Sequence, residues 1–207
     1  MNIERLVPEE IERRSFEIIE SELKTPLDPQ LAPIVKRVIH TAADFDYVEN
    51  LCFSPNVVDH ALDALRRGEK IVTDSNMAKA GISKAACEKL GIDVLCFMAE
   101  EDVMLTAKER GCTRAEVSME KAAELAGKPV IACGNAPTAL LRLRELIQQK
   151  RVTPSLIIGV PVGFVNVVRS KELIMELDVP YIVARGRKGG SNVAAAIVNA
   201  LLYMITR

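Results

Sequence analysis

The sequence predicts an α/β protein: a single three-layer domain with a mostly parallel five-stranded sheet flanked by helices and an N-terminal helical portion. Three observations carry this. Five short runs rich in β-branched residues begin at residue 70. Stretches of helical periodicity separate them, which is the signature of βαβ units and of parallel strands covered on both faces. Before residue 70 the pattern is helical throughout.

In chain order, Pro8 with Glu9 and Glu10 forms a helix first turn, and Ile11, Ile18, Ile19 and Leu23 follow at near-helical spacing. Asp28-Pro29 is a second start, leading into Leu31, Val35, Val38 and Ile39. Asn56 opens a third helix over Val57 to Arg67, which Gly68 stops. The strand runs are Lys70-Thr73, Asp93-Phe97, Pro129-Cys133, Ser155-Val160 and Tyr181-Ala184. Helical stretches fall near 83–90, 101–110, 114–126, 136–150 and 169–177, and a last one runs over about 191–205. No linker, low-complexity segment or repeat divides the 207 residues, so one domain spanning 1–207 is expected.

Composition narrows the class. Aromatics are 4% with no Trp, so the core must be aliphatic. The formal net charge of -1 gives no global attraction to nucleic acid or to an anionic membrane, so neither is expected as a partner. Cysteines at 52, 87, 96, 112 and 133 are odd in number and form no CxxC pair. That argues against a disulfide framework or a metal site and for a reducing compartment. The N-terminal Met-Asn-Ile-Glu-Arg runs into charge without a signal-peptide core, and no apolar run approaches about 18 residues. A cytoplasmic location is the expectation.

In parallel sheets a ligand site forms beyond the carboxyl ends of the strands. Four segments rich in Gly, Pro, Asn or Asp follow strand runs: 74–77, 134–138, 159–163 and 185–191. The last sets Arg185, Arg187 and Lys188 before a helix that Ser191 or Asn192 could cap. A helix N-terminus is already positive, so three cations there call for an anion. Gly186, Gly189 and Gly190 would let backbone N–H groups approach it. Arg114 repeats the theme: Thr113 and Glu116 form a capping box, which puts a cation in a first turn where acids are favoured. Neither nucleotide-binding glycine motif occurs, nor does the G-x-S-x-G elbow.

Two histidines remain. His60 lies within Val57–Arg67 and reads as part of an exposed or half-buried helix face. His40 ends an apolar helix in Val38-Ile39-His40-Thr41-Ala42-Ala43-Asp44. If that helix continues, Asp44 shares its face at i+4 and could hold the imidazole in one tautomer. From spacing alone a structural His40 and a general acid both stand.

Read together, these blocks resemble the precorrin-8X methylmutase family, also called cobalt-precorrin-8 methylmutase, of cobalamin biosynthesis. The resemblance spans essentially the whole chain. It runs through Glu12 and Ser15, Val38-Ile39-His40-Thr41 with Asp44-Phe45, Asp74 with Met77, and Thr113-Arg114. It continues through Gly134-Asn135-Ala136-Pro137-Thr138, Gly159-Val160-Pro161-Val162-Gly163-Phe164-Val165 and Arg187-Lys188-Gly189-Gly190-Ser191. The chain departs from the usual pattern at Val167-Val168-Arg169, before Ser170-Lys171. The resemblance implies an isomerase that moves a methyl group from C-11 to C-12 of a tetrapyrrole-derived polycarboxylate, precorrin-8 or cobalt-precorrin-8. The products would be hydrogenobyrinate or cobyrinate. It also implies His40 as general acid and a homodimer with the site near the subunit interface. Ser15, Thr41, Asp74, Arg114, Asn135, Thr138, Arg187, Lys188, Gly189 and Ser191 would bind the substrate, with no metal and no cofactor held by the protein. A phosphate-binding transferase and a non-catalytic corrinoid-binding relative are the alternatives.

Overall fold

The computed structural model describes residues 7–207, so the first five residues read above for targeting lie outside it. The chain opens with three helices, α1 (Pro8–Glu22), α2 (Ala32–Ala42) and the single turn α3 (Tyr47–Asn50), followed by a short strand β1 (Leu51–Phe53) and α4 (Val57–Arg66). The alternating part then runs β2 (Ile71–Thr73), α5 (Asn76–Gly81), α6 (Lys84–Leu90), β3 (Val94–Leu95), α7 (Glu101–Arg110), α8 (Arg114–Ala123) and β4 (Val130–Cys133). It ends with α9 (Pro137–Gln148), β5 (Leu156–Gly159), α10 (Val167–Met175), β6 (Tyr181–Ala184) and α11 (Ser191–Thr206). Each of the five expected strands is present within its predicted run.

The sheet has a sixth strand. Its order is β1-β6-β5-β4-β2-β3, parallel throughout except for β1, which pairs antiparallel with β6, Leu51 opposite Ala184 and Phe53 opposite Ile182. Leu51-Cys52-Phe53 has no β-branched residue and is too short to show a period. Only the open edge of β6 makes it a strand. The central strands are buried on both sides, which is why Ile71-Val72, Val130-Ile131 and Leu156-Ile157-Ile158 are continuous apolar runs.

Two apolar clusters sandwich the sheet. One face carries α4, α5, α6 and α11; the other carries α7, α8, α9 and α10. α11 is the central helix of the first face. Val193 to Val198, Ala200, Leu201 and Leu202 are all buried, because it packs on the sheet on one side and on α2 on the other. The N-terminal helical portion is therefore a further layer. α2 lays Ile34, Val35, Val38 and Ile39 against α11, and α1 packs on α2. Arg37 pins this layer. Its guanidinium pairs with Glu12 and lies 4.8 Å from the Phe16 ring centre and 5.2 Å from that of Tyr203. No helix among the described residues is long and apolar enough to cross a membrane.

Candidate active site

The parallel strands all point toward one rim, and their loops are stitched together there. Asp74, directly after β2, is fully buried. Its carboxylate accepts backbone N–H bonds from Gly134 (2.8 Å), Asn135 (2.8 Å) and Ala136 (2.6 Å) in the β4–α9 loop. Burial pushes its carboxyl up while those three amides pull against it. Ser75 and Ser191 share a hydroxyl hydrogen bond at 2.7 Å. Gly190 donates its N–H to Val160, and Gly163 donates to Arg187. Glycine is obligatory at 189: φ is +155°, and a Cβ there would overlap the Val160 carbonyl.

The expected anion loop sorts itself by partner. Arg185 is tied to Glu172 at 3.0 Å. Lys188 donates to Asp44 (2.7 Å) and Asp46 (2.6 Å), which drive its amine pKa up and hold the Asp44 carboxyl below its usual range. Arg187 is exposed, lies 5.5 Å from the ring centre of the equally exposed Phe164, and has no carboxylate partner among the described residues. Neither Ser191 nor Asn192 caps α11. The N-cap is Gly190, at φ +141°, and no side chain satisfies the leading amides. The helix start expected to attract an anion is thus uncapped.

Across the sheet, Thr113 and Glu116 do form the capping box of α8. The Thr113 hydroxyl donates to Glu116 at 2.7 Å, so the bond of 2.9 Å between Thr113 and Thr138 must use the Thr138 proton. Arg114 is exposed, touches the Met98 carbonyl at 3.4 Å and has no acidic partner among the described residues. The Asn135 side chain is likewise exposed.

His40 sits in the last turn of α2 with its side chain exposed. The ring stacks on Phe16, 5.4 Å between centres and 26° between planes. It borders a cleft of about 480 Å³ lined also by Ser15, Ile18, Ile39, Ala43 and Phe45. The expected His40–Asp44 pair is not formed. Ala43 turns left-handed (φ 50°) and ends the helix, so Asp44 leaves the face, receives Lys188 and accepts the Asp46 N–H at 3.0 Å. Ser15 and Thr41 donate their hydroxyls back to Ile11 and Arg37 within their own helices. As placed, they offer acceptors; to bind a carboxylate they must release those carbonyls.

The rim therefore brings together Asp74, Asn135, Thr138, Arg187, Lys188, Gly189 and Ser191. His40, Ser15 and Thr41 lie on the α1–α2 layer, joined to the rim through Asp44. Arg114 starts α8 on the opposite face of the sheet, and its neighbour Thr113 meets the rim at Thr138. His60 is excluded by position: it is exposed beside Lys128, Pro154 and Asp178, at the amino ends of the strands.

Sequence reasoning missed Lys171. A charged residue in an amphipathic stretch reads as solvent-facing, yet Lys171 is fully buried and its ammonium donates to the carbonyls of Gly186 (2.9 Å) and Lys188 (2.8 Å).

Comparison with known proteins matches nearly the whole chain to one family. The CbiC family model, described as precorrin-8X methylmutase, matches residues 10–204. A cobalt-precorrin-8 methylmutase of Priestia megaterium is 43% identical, the match covering 94% of this chain and 87% of the relative. One of Salmonella typhimurium is 43% identical over 95% of each. The solved structure of a precorrin-8X methyl mutase from Thermus thermophilus superposes with a TM-score of 0.87 at 37% identity, covering 94% of this chain and 96% of that one.

Proposed function

The chain belongs to the precorrin-8X methylmutase family of isomerases, and from that premise we propose that it moves a methyl group from C-11 to C-12 of a precorrin-8 or cobalt-precorrin-8 macrocycle, with His40 as general acid. The observation that carries the assignment is the setting of His40. It is an exposed imidazole stacked on Phe16 at the mouth of an open cleft, and the turn that ends its helix is tied to the basic loop through Asp44 and Lys188. Proton donation or a hydrogen bond to the ring lowers the barrier to migration, an effect of general acids worth about 10²–10⁴-fold. The methyl carbon leaves one ring carbon and bonds to its neighbour, so no second substrate is consumed.

The substrate is a large polycarboxylate with an apolar face. Arg187 supplies a cation free to meet a carboxylate, and the uncapped start of α11 adds N–H donors. Phe164 and the cleft wall suit the apolar face. Asp74 and Ser191 act by holding the loops. Arg114 stands across the sheet from α2, on the helices that cover the other face. The working unit in this reading is a homodimer, in which a second copy of the chain brings its Arg114 to the macrocycle held at His40.

The test is His40→Ala. Turnover should fall by about 10²–10⁴-fold while corrinoid binding persists. His60→Ala serves as the control and should leave turnover unchanged. Unchanged turnover in His40→Ala removes His40 from the chemistry. Absence of corrinoid binding by the wild type removes the proposal.

A further inference from the structure

Lys171, on α10, is fully buried and has no acidic partner among the described residues. Both hydrogen bonds of its ammonium go to backbone carbonyls of the β6–α11 loop, Gly186 at 2.9 Å and Lys188 at 2.8 Å. The carbonyl between them, Arg187, accepts from the Gly163 amide at 3.2 Å. Three consecutive carbonyls are thereby taken up by protein donors, two of them by the buried ammonium. The left-handed φ of Gly186 (82°) and the near-extended positive φ values of Gly189 and Gly190 are the turns this requires.

Burying an unpaired ammonium is costly, and a hydrophobic residue of the same volume would pack there without that cost. Burial lowers the amine to about 8. A group kept at such expense needs a return, and here it lies in the electrostatics of the loop. Carbonyl oxygens at 186 and 188 facing the rim would repel a carboxylate. Turned inward onto an ammonium, they leave the exposed side chain of Arg187 to face it, with a buried positive charge beneath.

We propose that Lys171 is a positioning residue for substrate binding, clamping the carbonyls of Gly186 and Lys188 away from the rim so that the 185–191 loop receives a substrate carboxylate. This rests on the polycarboxylate reading of the same site. It assigns Lys171 no contact with the reacting atoms, so its loss acts on affinity.

The experiment compares wild type with Lys171→Met, which keeps volume but removes charge and donors, and Lys171→Gln, which removes charge but keeps N–H donors. Cobyrinic acid binding is titrated by absorbance, kcat and KM are measured, and amide hydrogen exchange is followed over 186–190. Whichever variant accumulates as folded protein carries the reading. The expected result for Lys171→Met is binding weakened about tenfold or more and KM raised, with kcat within about threefold and faster exchange in the loop. Lys171→Gln should fall between it and wild type. Binding and KM within about twofold of wild type in a folded variant overturn the proposal. Unaltered loop exchange overturns the clamp by itself. Failure of the wild type to bind cobyrinic acid overturns the polycarboxylate reading instead, and the exchange result separates the two.

Discussion

Lys188 bridges to Asp44 at 2.7 Å, and this contact joins the glycine-rich loop after β6 to the turn that ends the helix bearing His40. With Asp46 also at 2.6 Å, the lysine is held between two acids and the trio is net negative. Arg187, one residue away, has no such partner among the described residues. Arg187→Ala should therefore weaken binding of a corrinoid polycarboxylate by about tenfold, and Lys188→Ala by less than about threefold. Titration of both variants checks the ranking; the reverse order means that the substrate displaces the two acids. The bridge itself is exposed and screened by solvent, so it adds little to stability. Its pH dependence has a fixed sign. The Asp44 carboxyl is lowered on folding, so its small stabilisation is present above the unfolded value and is lost as pH falls through the folded one.

A site shared between two copies predicts complementation. His40→Ala and Arg114→Ala should each be nearly inactive alone. Mixed after co-refolding, random pairing leaves one intact site in half of the dimers, so about a quarter of wild-type turnover should return. No recovery would place His40 and Arg114 at one site within the same chain, and an Arg114→Ala variant active by itself would put Arg114 outside the site.

Asp74→Asn removes one acceptor oxygen facing the amides of Gly134, Asn135 and Ala136 and puts an NH₂ group against them. With its oxygen turned to the amides of Asn135 and Ala136, the asparagine leaves the buried Gly134 N–H without its partner, a loss of about 1–3 kcal/mol. For a chain of this size that is a fall in Tm of roughly 2–12 °C, readable by calorimetry. A fall of under about 2 °C would mean that the loop has another anchor.

Lys171 gives a pH signature. Its amine is lowered on folding to about 8 from an ordinary value near 10.5. Between those values the unfolded chain holds a proton that the folded chain has released, so this group makes stability rise with pH over that window. Below pH 8 the burial cost is constant. The amine left above it still has two hydrogens for its two carbonyls. Denaturant unfolding of wild type and Lys171→Met should show the difference in stability changing by up to about 3 kcal/mol from pH 8 to 10.5, in favour of wild type. A flat difference would mean that the amine keeps its proton throughout.

Much of this fold is legible in the sequence, and the misses share one cause. Strands buried on both faces announce themselves as apolar runs, and the loops after them by composition. The features that escape depend on contacts between distant segments. Leu51-Cys52-Phe53 is a strand because β6 has a free edge. Asp44 leaves His40 because Ala43 adopts a left-handed turn with no glycine or asparagine to signal it. Instead Asp44 meets a lysine 144 positions further on. Lys171 is buried because two loop carbonyls need its charge. Asp74 reads as a ligand residue and is an anchor, since its partners lie 60–62 residues away. Local patterns located the rim and its glycines; they could not say which polar groups were already satisfied.

The packing of α2 on α11 has a consequence for how the molecule is made. These helices are about 150 residues apart, yet α2 is the support of His40 and buries its apolar stripe chiefly on α11. As the chain emerges from the ribosome, that stripe has no partner until the whole sheet that separates the two helices in sequence has been synthesised. The βα units can form in sequence, but the wall carrying the imidazole waits for the final helix. Such distant pairing makes assembly slow and leaves an intermediate with sticky surfaces on both α2 and α11. The wall carrying His40 is then completed only once α11 is in place.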